Sequence, residues 1–174
     1  NLIPLLGLEP VLRRAGIKNR THNFEKIYSE LYETGHELPI LKEIEDIVYT
    51  YFGSLELPEI PTIYDHLLIS LRPKDIVATF NWDPFLFDAW NRLKDRVPVP
   101  QIVHLHGNVR LTYCPDHPTY GTHGMYCPTC DKELIPSRLL YPVVMKNYVH
   151  DPFIKTEWEV LKKGLRQART ITIF

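Results

Sequence analysis

The sequence predicts an α/β protein: a parallel sheet with an inserted Cys/His module and an N-terminal helical layer. Three observations predict it. From about residue 75 onward, short β-type apolar runs alternate with helical periodicity in the order strand, helix, strand, insertion, helix, strand. Residues 1–73 carry helical periodicity alone. A compact cluster, Cys114-x2-His117-x9-Cys127-x2-Cys130, takes up all three cysteines of the chain.

Each element has its own signal. Leu5, Leu6, Leu8, Val11 and Leu12 predict a short helix after Pro4. Phe24, Ile27, Tyr28, Leu31 and Tyr32 recur at helical spacing, and Ile40, Leu41, Ile44, Ile47, Val48 and Tyr51 repeat the pattern up to a stop at Gly53. Leu57–Pro61 is an extended linker bounded by proline, and Ile63–Leu71 is a further helix ended by Pro73. Asp75–Phe80 suits a buried strand followed by polar residues. Pro84–Lys94 suits a helix with proline in its first turn. Val97–Pro100 is a rigid connector, and Gln101–His106 is a second strand, again ending in polar residues. The Cys/His loop covers 111–134, and Leu139–Met145 is a third extended run. Asp151–Ala168 is a helix with Phe153, Ile154, Trp158, Leu161 and Leu165 on one face, and Thr170–Phe174 is a last, buried strand. The expected organisation is a helical subdomain over 1–73, inserted in or packed on a core over 74–174.

Composition narrows the function classes. The chain has 174 residues, enough for a buried core, and its 44% apolar and 24% charged residues are those of an ordinary soluble domain. A formal charge of -1 offers no basic footprint, which argues against a nucleic-acid partner on electrostatic grounds. No run of 18 apolar residues is present, so no membrane span or membrane partner is expected. Three cysteines grouped beside a histidine point to a reducing, cytoplasmic setting and to metal ligation rather than cross-linking. The chain begins at Asn1 and closes on a strand-type run, so it is expected to belong to something longer, with further domains or a second copy as partners.

Cys114-Pro-Asp-His117 and Cys127-Pro-Thr-Cys130 are two short knuckles. Each can supply two ligands to a tetrahedral Zn²⁺ from a tight turn. All four positions are filled by protein, which suits structural rather than catalytic zinc. His123 is the rival to His117 as fourth ligand.

Polar residues follow both strands: Thr79, Asn81 and Asp83 after the first, His106 and Gly107 after the second. Ligands of open α/β sheets bind beyond such strand ends. An amide, a carboxylate and an imidazole there suit ribose binding and general-base work, with Gly107 allowing close approach of a substrate. Of His104 and His106, one is expected to line the pocket. The competing reading is that Asn81 and Asp83 cap the helix that begins at Pro84.

Taken together, these residues resemble a family. Thr79-Phe-Asn81-Trp-Asp83 is similar to the sirtuin signature Thr-Gln-Asn-Ile-Asp and closer still to the Thr-x-Asn-Tyr/Trp-Asp of the bacterial Sir2-like branch. His104-Leu-His106-Gly107 resembles the Leu-His-Gly of the sirtuin catalytic histidine, and the metal module follows in the family's order. Arg169–Phe174 resembles the strand before the Gly-Thr/Tyr-Ser turn of the NAD site. The resemblance spans 75–174 and implies a Rossmann-like parallel sheet, here a fragment, with an inserted zinc-ribbon module. It implies NAD as substrate, cleaved between nicotinamide and ribose. His106 would be the general base and Asn81 a second catalytic residue. Thr79, Asn81, Asp83, His106 and Gly107 would surround the dinucleotide, and Cys114, His117, Cys127 and Cys130 would hold structural zinc. Bacterial domains of this kind often serve anti-phage or stress systems.

The sequence also departs from the family. Phe80 stands where sirtuins have Gln, one metal ligand is His in place of Cys, and Leu139–Tyr148 lacks the Val-x-Phe-Gly-Glu segment that grips acyl-lysine peptides. No Gly-Ala-Gly phosphate loop is present, so NAD binding by this chain alone is expected to be weak. The expected activity is therefore NAD hydrolysis ahead of protein deacylation. A non-catalytic NAD or ADP-ribose sensor or scaffold is the alternative.

Overall fold

Helical spacing and strand spacing segregate along the chain as the apolar pattern requires. The computed structural model describes residues 2–17, 23–34, 38–141 and 151–173. The chain divides into two compact units, Asn1–Ser54 with Leu140–Asn147, and Leu55–Leu139 with Tyr148–Phe174.

The first unit is helical. Its elements are α1 (Leu2–Leu5), α2 (Glu9–Arg14), α3 (Phe24–Glu33) and α4 (Leu38–Gly53). The Asn23 side chain starts α3 by accepting from the Lys26 N–H at 3.2 Å. From there Phe24, Ile27, Tyr28 and Leu31 recur every three or four residues and are buried. They enclose one apolar interior with Ile3, Leu8, Leu12 and Ile44.

The second unit is α/β. It begins with α5 (Ile63–Ser70), β1 (Ile76–Thr79), α6 (Phe85–Leu93) and β2 (Gln101–His104). β1 and β2 are parallel, in the register Ile76↔Gln101 to Thr79↔His104. A parallel pair needs a crossover, which α6 supplies. α5 and α6 pack through a core of Leu68, Val77, Leu86 and Ala89. Then come β3 (Leu111–Tyr113), β4 (Tyr120–Thr122) and β5 (Ile135–Pro136), a separate antiparallel sheet in the order β4-β3-β5. α7 (Pro152–Gln167) follows, with Asp151 Oδ1 accepting from Ile154 N–H at 3.0 Å as its cap. α7 packs against β2 and β1. Gly164 makes room for Ile76, whose Cδ1 would lie 2.5 Å from an added Cβ.

The expected α/β class is thus observed at that level, with N-terminal helices and a Cys/His module between β2 and α7. Among the described residues the parallel sheet has two strands. The last predicted strand is a correction: among the described residues 170–173 have no strand pairing, and Ile171 and Ile173 are 62% and 93% exposed. These residues are exposed along their whole length, so strand-type composition is not backed here by the burial that stabilises a strand. In the predicted run Leu139–Met145, residues 142–145 lie outside the described residues, and Leu139 is a buried side chain without strand pairing. No helix among the described residues is long and apolar enough to cross a membrane.

Candidate functional site

The Cys/His module is built by the antiparallel sheet. Cys114 directly follows β3, and its N–H donates to Thr119 O at 2.9 Å. The Thr119 N–H donates to His117 O at 2.7 Å, which curls the first knuckle. In the second, Cys127 N–H donates to Lys132 O and Asp131 N–H to Cys127 O, both at 2.8 Å. Asp131 closes this turn at φ 56°, a left-handed conformation that Asp tolerates better than bulkier residues.

These turns bring four ligand atoms together. The Cys114 sulfur lies 3.5 Å from His117 Nδ1 and 3.7 Å from the Cys130 sulfur, and the Cys127 sulfur lies 3.7 Å from His117 Nδ1. All four ligand atoms lie within 4.8 Å of one another. A tetrahedral ion about 2.3 Å from sulfur and about 2.0 Å from nitrogen separates its ligands by roughly 3.5–3.8 Å. The donor set therefore fits a metal such as zinc. The thiols are unbridged, and Cys114 and Cys127 are buried with Leu134. Burial opposes ionisation of Cys127. Even so, the backbone N–H groups of Thr129 and Cys130, with Thr119 and Cys114 beside them, bring its thiol down to about 6, toward the thiolate that binds metal. His123, the rival ligand, is turned elsewhere: its Nε2 lies 3.0 Å from the Val109 carbonyl oxygen.

The second cluster forms at the C-terminal ends of β1 and β2. Because Thr79 pairs with His104, the residues after each strand emerge at one end of one sheet. The Asn81 N–H donates to Thr79 Oγ1 at 3.0 Å, and the exposed Asn81 side chain hydrogen-bonds the Asp83 carboxylate. Asp83 Oδ1 also accepts from the Phe85 N–H at 3.2 Å, a turn bond at the start of α6 made from the residue before its N-cap Pro84; Asn81 makes no such bond. Burial pushes the Asp83 carboxyl up, opposed by these hydrogen bonds. The Phe80 ring, 53% exposed, meets the half-buried His106 imidazole edge-on, 4.8 Å between centroids at 61°.

His104 and His106 stand two residues apart, which on a continued strand would put them on one face; the end of the strand separates them. β2 ends at His104 and the chain turns, with Gly107 N–H donating to His104 O at 3.1 Å. His104 is 3% exposed and faces the interior. Burial lowers its pKa to about 4, so the ring is neutral. His106 is thus the histidine at the sheet end. Gly107 has φ 83°, and an added Cβ would lie 2.1 Å from the Arg138 carbonyl oxygen. The backbone of this chain therefore requires the glycine whether or not a substrate approaches it.

Several residues that organise the site escaped the sequence reading. Asn108 is fully buried. Its Nδ2 donates to Asp83 O at 2.8 Å, its Oδ1 accepts from Arg110 N–H at 2.9 Å, and its backbone carbonyl accepts from Ser137 Oγ at 2.7 Å. It ties the two strand ends to the root of β3. Its signal was a lone amide in the run Leu105–Val109. Glu157 also reaches the end of β2, and Trp158 the Leu105 carbonyl just past it; the indole N–H, which needs a partner when buried, was the only hint.

No protein-family model, curated protein or solved structure matches the chain.

Proposed function

We propose that the chain is a Sir2-like, Rossmann-like domain that consumes NAD by cleaving the nicotinamide–ribose bond, and that it acts as an NAD glycohydrolase ahead of a protein deacylase. The observation that carries the reading is the Thr79↔His104 register, which gathers Thr79, Asn81, Asp83, His106 and Gly107 at one end of a parallel pair. That is the end where α/β sheets take nucleotides.

In this reading the C–N bond breaks with its electron pair passing to the nicotinamide nitrogen, and the oxygen of water bonds to the ribose C1′. His106 accepts the proton as water adds. Asn81, exposed and tied to Asp83, orients the ribose. Thr79 and the Asp83 carboxylate keep Asn81 in place. The Cys114, His117, Cys127 and Cys130 group holds structural zinc: with four protein ligands it leaves no position for water, and it supplies a brace for β3–β5.

The test is incubation of the protein with NAD, following nicotinamide and ADP-ribose. His106→Ala is expected to lower release by about 10²-fold or more, the usual worth of a general base. No release by the wild type, or equal release by the variant, sinks the claim. One observation favours a second reading, a sensor or scaffold that binds NAD or ADP-ribose without turnover: Phe80 presents an exposed ring where the sirtuin signature has a polar side chain. Calorimetry separates the two, because the sensor shows binding heat with NAD intact afterwards.

A further inference from the structure

We propose that Glu157 and Trp158 are positioning residues that clamp the outgoing end of β2 and hold the turn from which His106 projects. Along β2 the N–H groups of Gln101 and Leu105 donate to Asp75 O and Thr79 O at 3.2 and 2.9 Å, toward β1. The His104 N–H, between them, points to the other edge, because successive strand N–H groups alternate sides. There it donates to Glu157 Oε2 at 2.5 Å. The next residue of α7, Trp158, donates from its indole Nε1 to Leu105 O at 3.0 Å. Adjacent helix residues thus take one donor from the last residue of β2 and one acceptor from the residue after it.

Burial makes these bonds count. His104 and Leu105 are 3% and 1% exposed, so backbone groups left without partners there carry a full desolvation cost. A carboxylate beside the apolar face of α7 carries the same cost, and burial does push the Glu157 carboxyl up; the His104 N–H opposes that rise. Past the clamp the turn closes through Gly107 N–H to His104 O, and Gly107 is seated against the Arg138 carbonyl. His106 sits between these two fixed points. Trp158 also backs Phe80, at 6.2 Å between ring centroids, and Phe80 meets the His106 ring. α7 is itself anchored by its Asp151 cap, which accepts from Tyr113 Oη at 3.4 Å.

The consequence for turnover rests on the NAD reading above, whereas the consequence for the backbone does not. The experiment therefore pairs amide hydrogen exchange with NAD kinetics on the intact chain. In Glu157→Ala and in Trp158→Phe, exchange across residues 104–107 is expected to rise about tenfold while α6 is unchanged. The kcat for NAD is expected to fall about tenfold, with KM within about twofold. Glu157→Gln, whose amide oxygen still accepts, is expected to restore both. Unchanged exchange in Glu157→Ala, or a Gln variant as loose as the Ala variant, overturns the clamp. A lowered Tm with kcat intact also overturns it, as a purely structural bond would behave that way. If the wild type leaves NAD untouched, the function falls, and the exchange result alone decides the clamp.

Discussion

Gly107 and His104 show how single residues constrain the strand end. Gly107→Ala places a methyl group 2.1 Å from a backbone carbonyl at a φ of 83°. It is expected to cost about 3 kcal/mol of stability, read as a lower urea midpoint. His104 is buried with its Nδ1 lacking a hydrogen-bond partner among the described residues. Burial holds its pKa at about 4 against an ordinary 6.5. Between those values the unfolded chain binds a proton that the folded chain does not. The histidine therefore adds no penalty above pH 6.5 and a growing one as pH falls, reaching roughly 3 kcal/mol near pH 4. Glu157, on the backbone N–H of the same residue, has a raised pKa and runs the other way, so the comparison must be with a His104 variant. His104→Phe is expected to close the gap: equal to or above wild type at pH 5 in chemical denaturation, with most of the difference gone at pH 7.5. A pH profile parallel to wild type would refute this.

At the scale of elements, α5 and α6 are joined by a polar lock. Asp65 accepts from Thr62 N–H at 2.7 Å, from Arg92 Nε at 3.0 Å and from Arg92 Nη2 at 2.5 Å, while Arg92 Nη1 reaches Pro58 O at 2.8 Å. Burial opposes the Asp65 charge, but Arg92 and Thr62 outweigh it and bring the pKa to about 2, from 3.8. The lock is therefore complete above pH 3.8 and weakens as pH falls toward 2. Asp65→Asn is expected to cost about 3 kcal/mol at pH 7, because it leaves a largely buried guanidinium without its counter-charge. The loss should shrink at pH 2.5 in the same denaturation assay. None of this was legible in the sequence, because Asp65 and Arg92 lie far apart and only the fold joins them. What was legible was local. The 3.6-residue period drew α3, α4 and α7, and the two knuckles carried their own spacing. Strand pairing is not local. Residues 170–173 have the composition of a strand but are exposed and have no strand partner among the described residues. The site followed the same division. Thr79, Asn81, Asp83 and His106 could be read as strand-end residues, whereas Asn108, Ser137 and Glu157, which place them, act through backbone groups distant in sequence.

For the whole molecule, the question is which parts stand without metal. The core cluster of the Cys/His module is Cys114, Cys127 and Leu134, with Cys130 against them, and β3 adds the buried Thr112 and Tyr113. These few buried side chains do not offset the ordering of a loop that runs from 111 to 134, so folding of this part should be metal binding in another form. The first unit has an apolar interior of its own, from Ile3 and Leu8 through Ile44, and no cysteine. The protein as isolated is therefore expected to carry about one zinc per chain. Chelation at neutral pH should abolish amide protection in β3, β4 and β5 while α3 and α4 keep theirs. Tyr113 and Tyr120 both pack on Phe153, at 5.8 and 5.6 Å between ring centroids, so loosening should spread to the N-terminal turn of α7. Restoring Zn²⁺ should recover protection in both places. Metal-free protein with β3–β5 still protected would show that the four ligands sit together without needing an ion. Loss of protection in α3 and α4 on chelation would show that the two units do not fold separately.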